Sequence, residues 1–205
     1  MLLHSLYLVA ITAEAMTAAL AAGRRNMDWL GVGVIACVTA LGGGTVRDVL
    51  LGNHPLVWIE HPLYLGITLA AAILTAFIAP VMKRLRTLFL LLDALGLVVF
   101  TVIGCNVAAS MGLPFFIVVV AGMITGTFGG VLRDILCNRT PLLFRRELYA
   151  TASLLTGLLY LGLQHAGVMH GVAMVVAMVA GFAMRVLAIR YGWEMPKFVY
   201  QEDWD

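Results

Sequence analysis

The chain has 205 residues, 62% of them hydrophobic and 12% charged, with a formal net charge of +2 and a mean hydropathy of +0.99. Soluble domains average about 45–50% apolar and about 25% charged residues, so this composition excludes a water-soluble globular protein and points to a chain solvated by lipid. The small net charge gives no case for a nucleic-acid partner.

Charged residues and prolines divide the sequence into seven apolar segments, near 2–22, 29–51, 62–82, 87–109, 113–136, 147–165 and 168–189. Each is about 20 residues long, the length at which a helix rising about 1.5 Å per residue crosses about 30 Å of hydrocarbon. None shows the two-residue alternation of a membrane barrel strand. The first segment ends on ALAAG, which resembles a signal-peptide cleavage site. However, Glu14 interrupts it and Arg24 and Arg25 follow it, whereas a signal sequence carries its positive charges in front. It is read as a mature helix. No connection is long enough to hide a soluble domain. The expectation is an all-α membrane protein with one domain over residues 1–190 and a short cytoplasmic tail over 191–205. The three cysteines, Cys37, Cys105 and Cys137, are odd in number and lack metal-ligand spacing, and read as small buried residues.

Lys and Arg fall on alternate loops. Arg24 and Arg25, then Lys83, Arg84 and Arg86, then Arg139, Arg145 and Arg146, and finally Arg190 and Lys197 share one side of seven alternating crossings. The positive-inside rule makes that side cytoplasmic, with the N-terminus outside and the C-terminus inside. His4, His54, His61, His165 and His170 all fall at the outer face.

A repeat then emerges. GGGTVRD, Gly42 to Asp48, returns as FGGVLRD, Phe128 to Asp134, and a shift of 86 residues places Gly43, Gly44, Arg47, Asp48 and Pro55 on Gly129, Gly130, Arg133, Asp134 and Pro141. Each unit holds three crossings, an odd number, so the second copy enters from the opposite side. The chain reads as an inverted repeat of two three-helix units, about 2–82 and 87–165, with a seventh helix at about 168–189. Transporters and channels use this plan with a pathway at the repeat interface.

Three consecutive glycines give up about 1 kcal/mol of helix propensity each and allow the backbone to unwind. An unwound segment at membrane depth exposes carbonyl oxygens, which survive there only when packed in protein or lining a wet cavity that holds a cation. The other reading is close helix packing: Gly122, Gly126 and Gly130 are spaced by four, as are Ala36, Ala40 and Gly44. Both readings can hold together. Arg47 and Asp48 are about 100° apart on a helical wheel, so each is expected to find a partner elsewhere, as are Arg133 and Asp134. Capping of a second half-helix by Thr45 and snorkelling of the arginines to the headgroups are the structural alternatives. Two more acids, Glu14 and Asp93, lie inside helices. Such groups cost about 2.5–3.5 kcal/mol to insert, and they either neutralise Arg47 or Arg133 or face the pathway.

GGGTVRDVLLG with its following proline, GGVLRDIL, and LDALGLVVF from Leu92 to Phe100 resemble the bacterial membrane family related to trimeric intracellular cation channels, also labelled a glycine transporter family. The likeness runs from Leu6 to about Arg190. It implies a seven-helix protomer, a homotrimer with one pathway per protomer, and glycine-broken second and fifth helices, in which Gly42, Gly43, Gly44, Gly129 and Gly130 are hinge and cation-facing positions. Phe128 replaces the first glycine in the second copy, so the two halves are unequal. The resulting expectation is a channel for monovalent cations in the inner membrane, with a carrier of glycine or a similar small amino acid as the alternative. No cofactor is expected beyond a bound sodium or potassium ion. An enzyme is not expected, because no nucleophile–base pair, metal cluster or nucleotide loop is present, and the glycine triplet lacks the Lys-Ser/Thr of a phosphate loop.

Overall fold

A computed structural model describes residues 2–81, 85–144 and 148–194. Lys83, Arg84, Arg145, Arg146, Lys197 and the tail beyond 194 lie outside the described residues. The architecture is all-helical, with seven long helices in chain order: α1 Leu2–Gly23, α2 Trp29–Leu51, α3 Leu63–Ile78, α4 Leu85–Ser110, α5 Phe115–Leu136, α6 Tyr149–His165 and α7 His170–Tyr191. A one-turn helix, Val57–Glu60, precedes α3, and α3 tightens into a 3-10 turn at Ala79–Val81 around Pro80.

The boundaries have local causes. Asp28 caps α2 by accepting a 2.7 Å hydrogen bond from the Gly31 N–H, and α2 closes at Gly52 in the left-handed conformation with φ 66°. Pro114 stands immediately before α5, where its missing N–H leaves no bond unmade, and α7 closes at left-handed Gly192. Six of these helices are long and apolar enough to cross a membrane; α6, with 17 residues, falls just short.

α4 is the most buried of the six and α3 the least. α4 runs through the middle of the bundle, packed on α1, α5, α6 and α7, while α3 lies outside α1 and α2. The exposed faces of α3 and α7 carry Leu63, Leu74, Phe77, Val172, Val175 and Val179. In water such faces would drive aggregation, whereas against acyl chains they are the ordinary solvent contact.

Hydrocarbon supplies no hydrophobic force between helices, so the bundle coheres through close packing and polar bonds. The glycines supply the packing. A Cβ on Gly43 would overlap the carbonyl oxygen of Thr125, and a Cβ on Gly129 would overlap that of Thr39. The two contacts are reciprocal, because Thr39 and Thr125 are themselves 86 residues apart. α2 and α5 therefore touch backbone to backbone. Gly104, Gly122 and Gly126 do the same for α4 and α5, with Cys105, Thr101 and Leu97 opposite the two glycines of α5.

This corrects one expectation. α2 and α5 are continuous α-helices through Gly42, Gly43, Gly44, Gly129 and Gly130, and none of these glycines has a positive φ. The helices do not break because the packing gained by close approach outweighs the lost propensity. Thr45 caps nothing: its hydroxyl donates to the Leu41 carbonyl at 2.8 Å within the unbroken helix. The cysteines are all free thiols, with Cys105 and Cys137 buried and Cys37 half-buried.

Gly43→Ala and Gly129→Ala are each predicted to destabilise the protein by about 1–3 kcal/mol, the usual cost of overpacking. Gly66 on α3 has open space where a Cβ would go, so Gly66→Ala should be neutral or slightly stabilising. Thermal melting of the detergent-purified variants checks this, and equal melting of all three would refute the packing role.

Candidate functional site: a buried charged centre

Arg133 is fully buried near the end of α5, and three helices converge on it. From α4, Asp93 accepts a hydrogen bond from Nη1 through Oδ1 at 2.7 Å. From α1, Thr17 accepts from the same Nη1 at 2.9 Å, and Glu14 Oε2 lies 3.7 Å from it. Asp134, the next residue on α5, accepts from Nε at 3.0 Å and also takes the Leu142 N–H at 3.0 Å. The guanidinium stacks over Phe89 at 4.6 Å. Glu14 lies against Gly96, whose missing side chain makes the space for it. A Cβ on Gly130 would come 3.0 Å from the Tyr149 hydroxyl, 3.5 Å from Arg133 Nη2 and 3.6 Å from Asp93 Oδ1. Gly130 thus lets α6 and α4 approach the centre.

Arg47 occupies the matching place on α2 with a simpler environment. Its Nε and Nη2 donate to Asp48 at 2.8–2.9 Å, and Asn53 Nδ2 donates to Asp48 Oδ1 at 2.8 Å. Shifting by 86 residues puts Tyr7 at the position of Asp93 and Phe100 at that of Glu14. One half carries an acid-rich centre and the other a single neutral pair.

One sequence expectation changes here. Arg47 pairs with Asp48, and Arg133 with Asp134, although neighbours on a helix point apart. Both couples lie in the last turns, where an arginine is long enough to fold back across the helix surface onto the adjacent carboxylate. Neither arginine snorkels, since Arg47 is 2% and Arg133 0% exposed. Of the arginines open to Glu14 and Asp93, the structure sets both acids against Arg133. Thr17, Phe89, Tyr149 and Asn53 were missed. Thr17 stands three residues after Glu14, a spacing that places both on one face; the other three left no sequence signal. Arg185 of α7 is buried with its guanidinium 5.0 Å over the Tyr149 ring.

At the end of the bundle beyond this centre, Arg24, Arg86 and Arg139 surround a small cavity of about 70 Å³ whose floor is Phe89, Leu142 and Asp134. Burial, and then the charges of Arg139 and Arg86, push the Arg24 guanidinium below its ordinary pKa. Arg25 donates to the Asn138 carbonyl beside them. The arginines assigned by the sequence to one membrane face thus meet at one end of the molecule. His4, His61 and Tyr64 cluster on one another elsewhere, where Tyr64 Oη and His4 Nδ1 are 3.0 Å apart.

An all-helical bundle with lipid-type faces and buried charges within its long helices is an integral membrane protein. The family model described as Glycine transporter matches residues 4–80 and 90–165, two stretches whose starts lie 86 residues apart. UPF0126 inner membrane protein YadS of Escherichia coli (strain K12) is 36% identical over 205 residues, covering 99% of each chain. UPF0126 membrane protein YvgT of Bacillus subtilis (strain 168) is 33% identical over 200 residues, covering 97% of each. Among solved structures, the TRIC trimeric intracellular cation channel orthologue from Rhodobacter sphaeroides matches with a TM-score of 0.90 at 35% identity, covering 93% of this chain and 98% of that one. The chain belongs to the glycine transporter family, also called UPF0126, and it has the fold of the TRIC channels. Family and fold are those of membrane channels and transporters and not of enzymes.

Removing one partner of a buried ion pair typically costs about 3–5 kcal/mol. Arg133→Ala, which strands several carboxylates, is predicted to lower the melting temperature more than Arg47→Ala, which strands one that keeps Asn53. Arg133→Lys should not restore stability, because an ammonium cannot reproduce the fork toward Asp93 and Asp134. Melting of both alanine variants within error of the parent would show the arginines to be dispensable.

Proposed function

We propose that this protein is a channel for monovalent cations in the inner membrane, assembled as a homotrimer with one pathway through each protomer. The observation that carries the reading is the match to the Rhodobacter sphaeroides cation channel orthologue over nearly the full length of both chains. The excess of carboxylate around Arg133 supports it, because buried negative charge lowers the energy of a cation beside it. In this reading the glycine carbonyls are not the ligands, since α2 and α5 keep them in the helical ladder. Gly42, Gly43, Gly44, Gly129 and Gly130 serve instead as the seam where α2 and α5 slide when the path opens, and Glu14, Asp93, Asp134 and Asp48 set its charge against Arg133 and Arg47. Bound sodium or potassium is the species carried.

The same proposal includes the topology. α6 completes a seventh crossing, helices α1 to α3 and α4 to α6 form an inverted pair, and α7 is added outside the repeat. The reciprocal Gly43–Thr125 and Gly129–Thr39 contacts support the two-fold relation. The convergence of Arg24, Arg25, Arg86 and Arg139 at one end supports an outside N-terminus and a cytoplasmic tail from residue 191. Reporter fusions after Gly112 and after Arg146 are expected to report the exterior and the cytoplasm respectively; the opposite result for either would overturn the topology.

The alternative is a carrier of glycine or a similar small amino acid, favoured by the description of the matching family. Purified protein in a planar bilayer with symmetric potassium chloride separates the two. The channel reading expects discrete, cation-selective openings. Saturable counterflow of labelled glycine from loaded liposomes, without such openings, would replace it with the carrier.

A further inference from the structure

Charge around Arg133 does not balance. Glu14 on α1, Asp93 on α4 and Asp134 on α5 bring three carboxylates to the buried centre. Arg133 is among them, and Arg185 of α7, across the Tyr149 ring of α6, is the second cation at the centre. The other helices packed on α1 add nothing: α3 carries no charged residue, and the Arg47 and Asp48 of α2 close on each other. Arg24, Arg86 and Arg139 stand on the far side of Asp134, so among the described residues the local surplus of negative charge lies at Glu14 and Asp93, which are 2% and 0% exposed. Two ionised carboxylates side by side in such an interior lose hydration and repel each other, and one shared proton relieves both.

The hydrogen bonds place the surplus. Asp134 uses one oxygen on Arg133 and the other on the Leu142 N–H, so both of its oxygens have donors. Among the described residues, none donates a hydrogen bond to the buried Asp93 Oδ2. Among the described residues, the hydrogen-bond donor to Glu14 is the Thr17 hydroxyl, whose single proton is divided between the Glu14 carbonyl at 2.8 Å and Oε2 at 3.1 Å. Glu14 and Asp93 both lie within 3.7 Å of the same Arg133 nitrogen, so they are neighbours competing for one cation. Two carboxylates crowded in this way ionise together only at high cost, and a protonated carboxyl can donate where an ionised one cannot. We propose that Glu14 and Asp93 form a proton-binding site that holds one exchangeable proton between them. The other half of the molecule has no counterpart, because Tyr7 and Phe100 occupy the corresponding positions.

A consequence for transport rests on the channel reading above. Release of the proton adds one negative charge to the path, so cation flux is expected to rise in mildly alkaline buffer and fall in mildly acidic buffer.

The site itself is tested without transport. Infrared spectra of the purified full-length protein in liposomes at neutral pH should show a protonated carboxyl band that shifts in deuterium oxide and is lost or displaced in Glu14→Gln and in Asp93→Asn. Absence of that band from the unmodified protein overturns the proposal whether or not the variants fold. So does a band that neither variant changes. Potassium flux into the same liposomes should vary severalfold with pH for the parent and become flat in Glu14→Gln. An infrared band that behaves as expected in a protein with no cation flux keeps the proton site and removes the channel reading; a flux whose pH dependence survives in both variants overturns the site.

Discussion

A guanidinium buried where water cannot reach it must be neutralised by its own protein, and Arg133 imposes that requirement on the rest of the bundle. It can be met only if Asp93 comes from α4, Thr17 and Glu14 from α1 and Asp134 from α5 itself, so one side chain fixes the mutual rotation of three helices. The apolar surfaces of these helices carry little of that information, since a leucine is as well solvated by lipid as by another helix. Polar bonds at the centre and glycine contacts at the crossings together specify what hydrophobic patterning cannot.

The two halves use one plan for unequal ends. Both place an Arg–Asp couple in the last turns of a glycine-seamed helix, and both bury the arginine. The first half closes the couple on itself with Asn53. The second opens its couple toward Glu14 and Asp93 and toward the aromatic face of Phe89. The side chains that face the two couples differ, so the two matching arginines sit in unequal fields. The asymmetry lies toward the end where Arg24, Arg86 and Arg139 gather, with Phe89 between Arg24 at 5.4 Å and Arg133 at 4.6 Å.

Sequence by itself determined the solvent, the number and approximate limits of the long helices, the 86-residue correspondence and the identity of every intramembrane charge named here. Those properties are local or compositional: a lipid-spanning helix must be long and apolar, and a charge within it is conspicuous against that background. The helix limits agree with the segments to within about two residues when α3 is counted with its 3-10 turn to Val81, the ordinary uncertainty of helix ends, and α6 falls short of a crossing by length.

Tertiary structure alone decided what the glycines and charges do. A run of Gly42, Gly43 and Gly44 reads equally as a break or as a contact surface, because propensity measures only what an isolated helix loses. The carbonyl of Thr125, lying where a Cβ would stand, decides for contact. Helical-wheel angles sent Arg47 and Arg133 away from their neighbouring acids, because a wheel describes Cα–Cβ directions and ignores the reach of a long side chain near a helix end. Phe89, Tyr149 and Thr17 left weak or no traces, since an aromatic ring or a hydroxyl in an apolar helix is ordinary until the fold sets it against a buried cation. Which groups meet is a property of distances between helices far apart in sequence, and no local pattern encodes those distances.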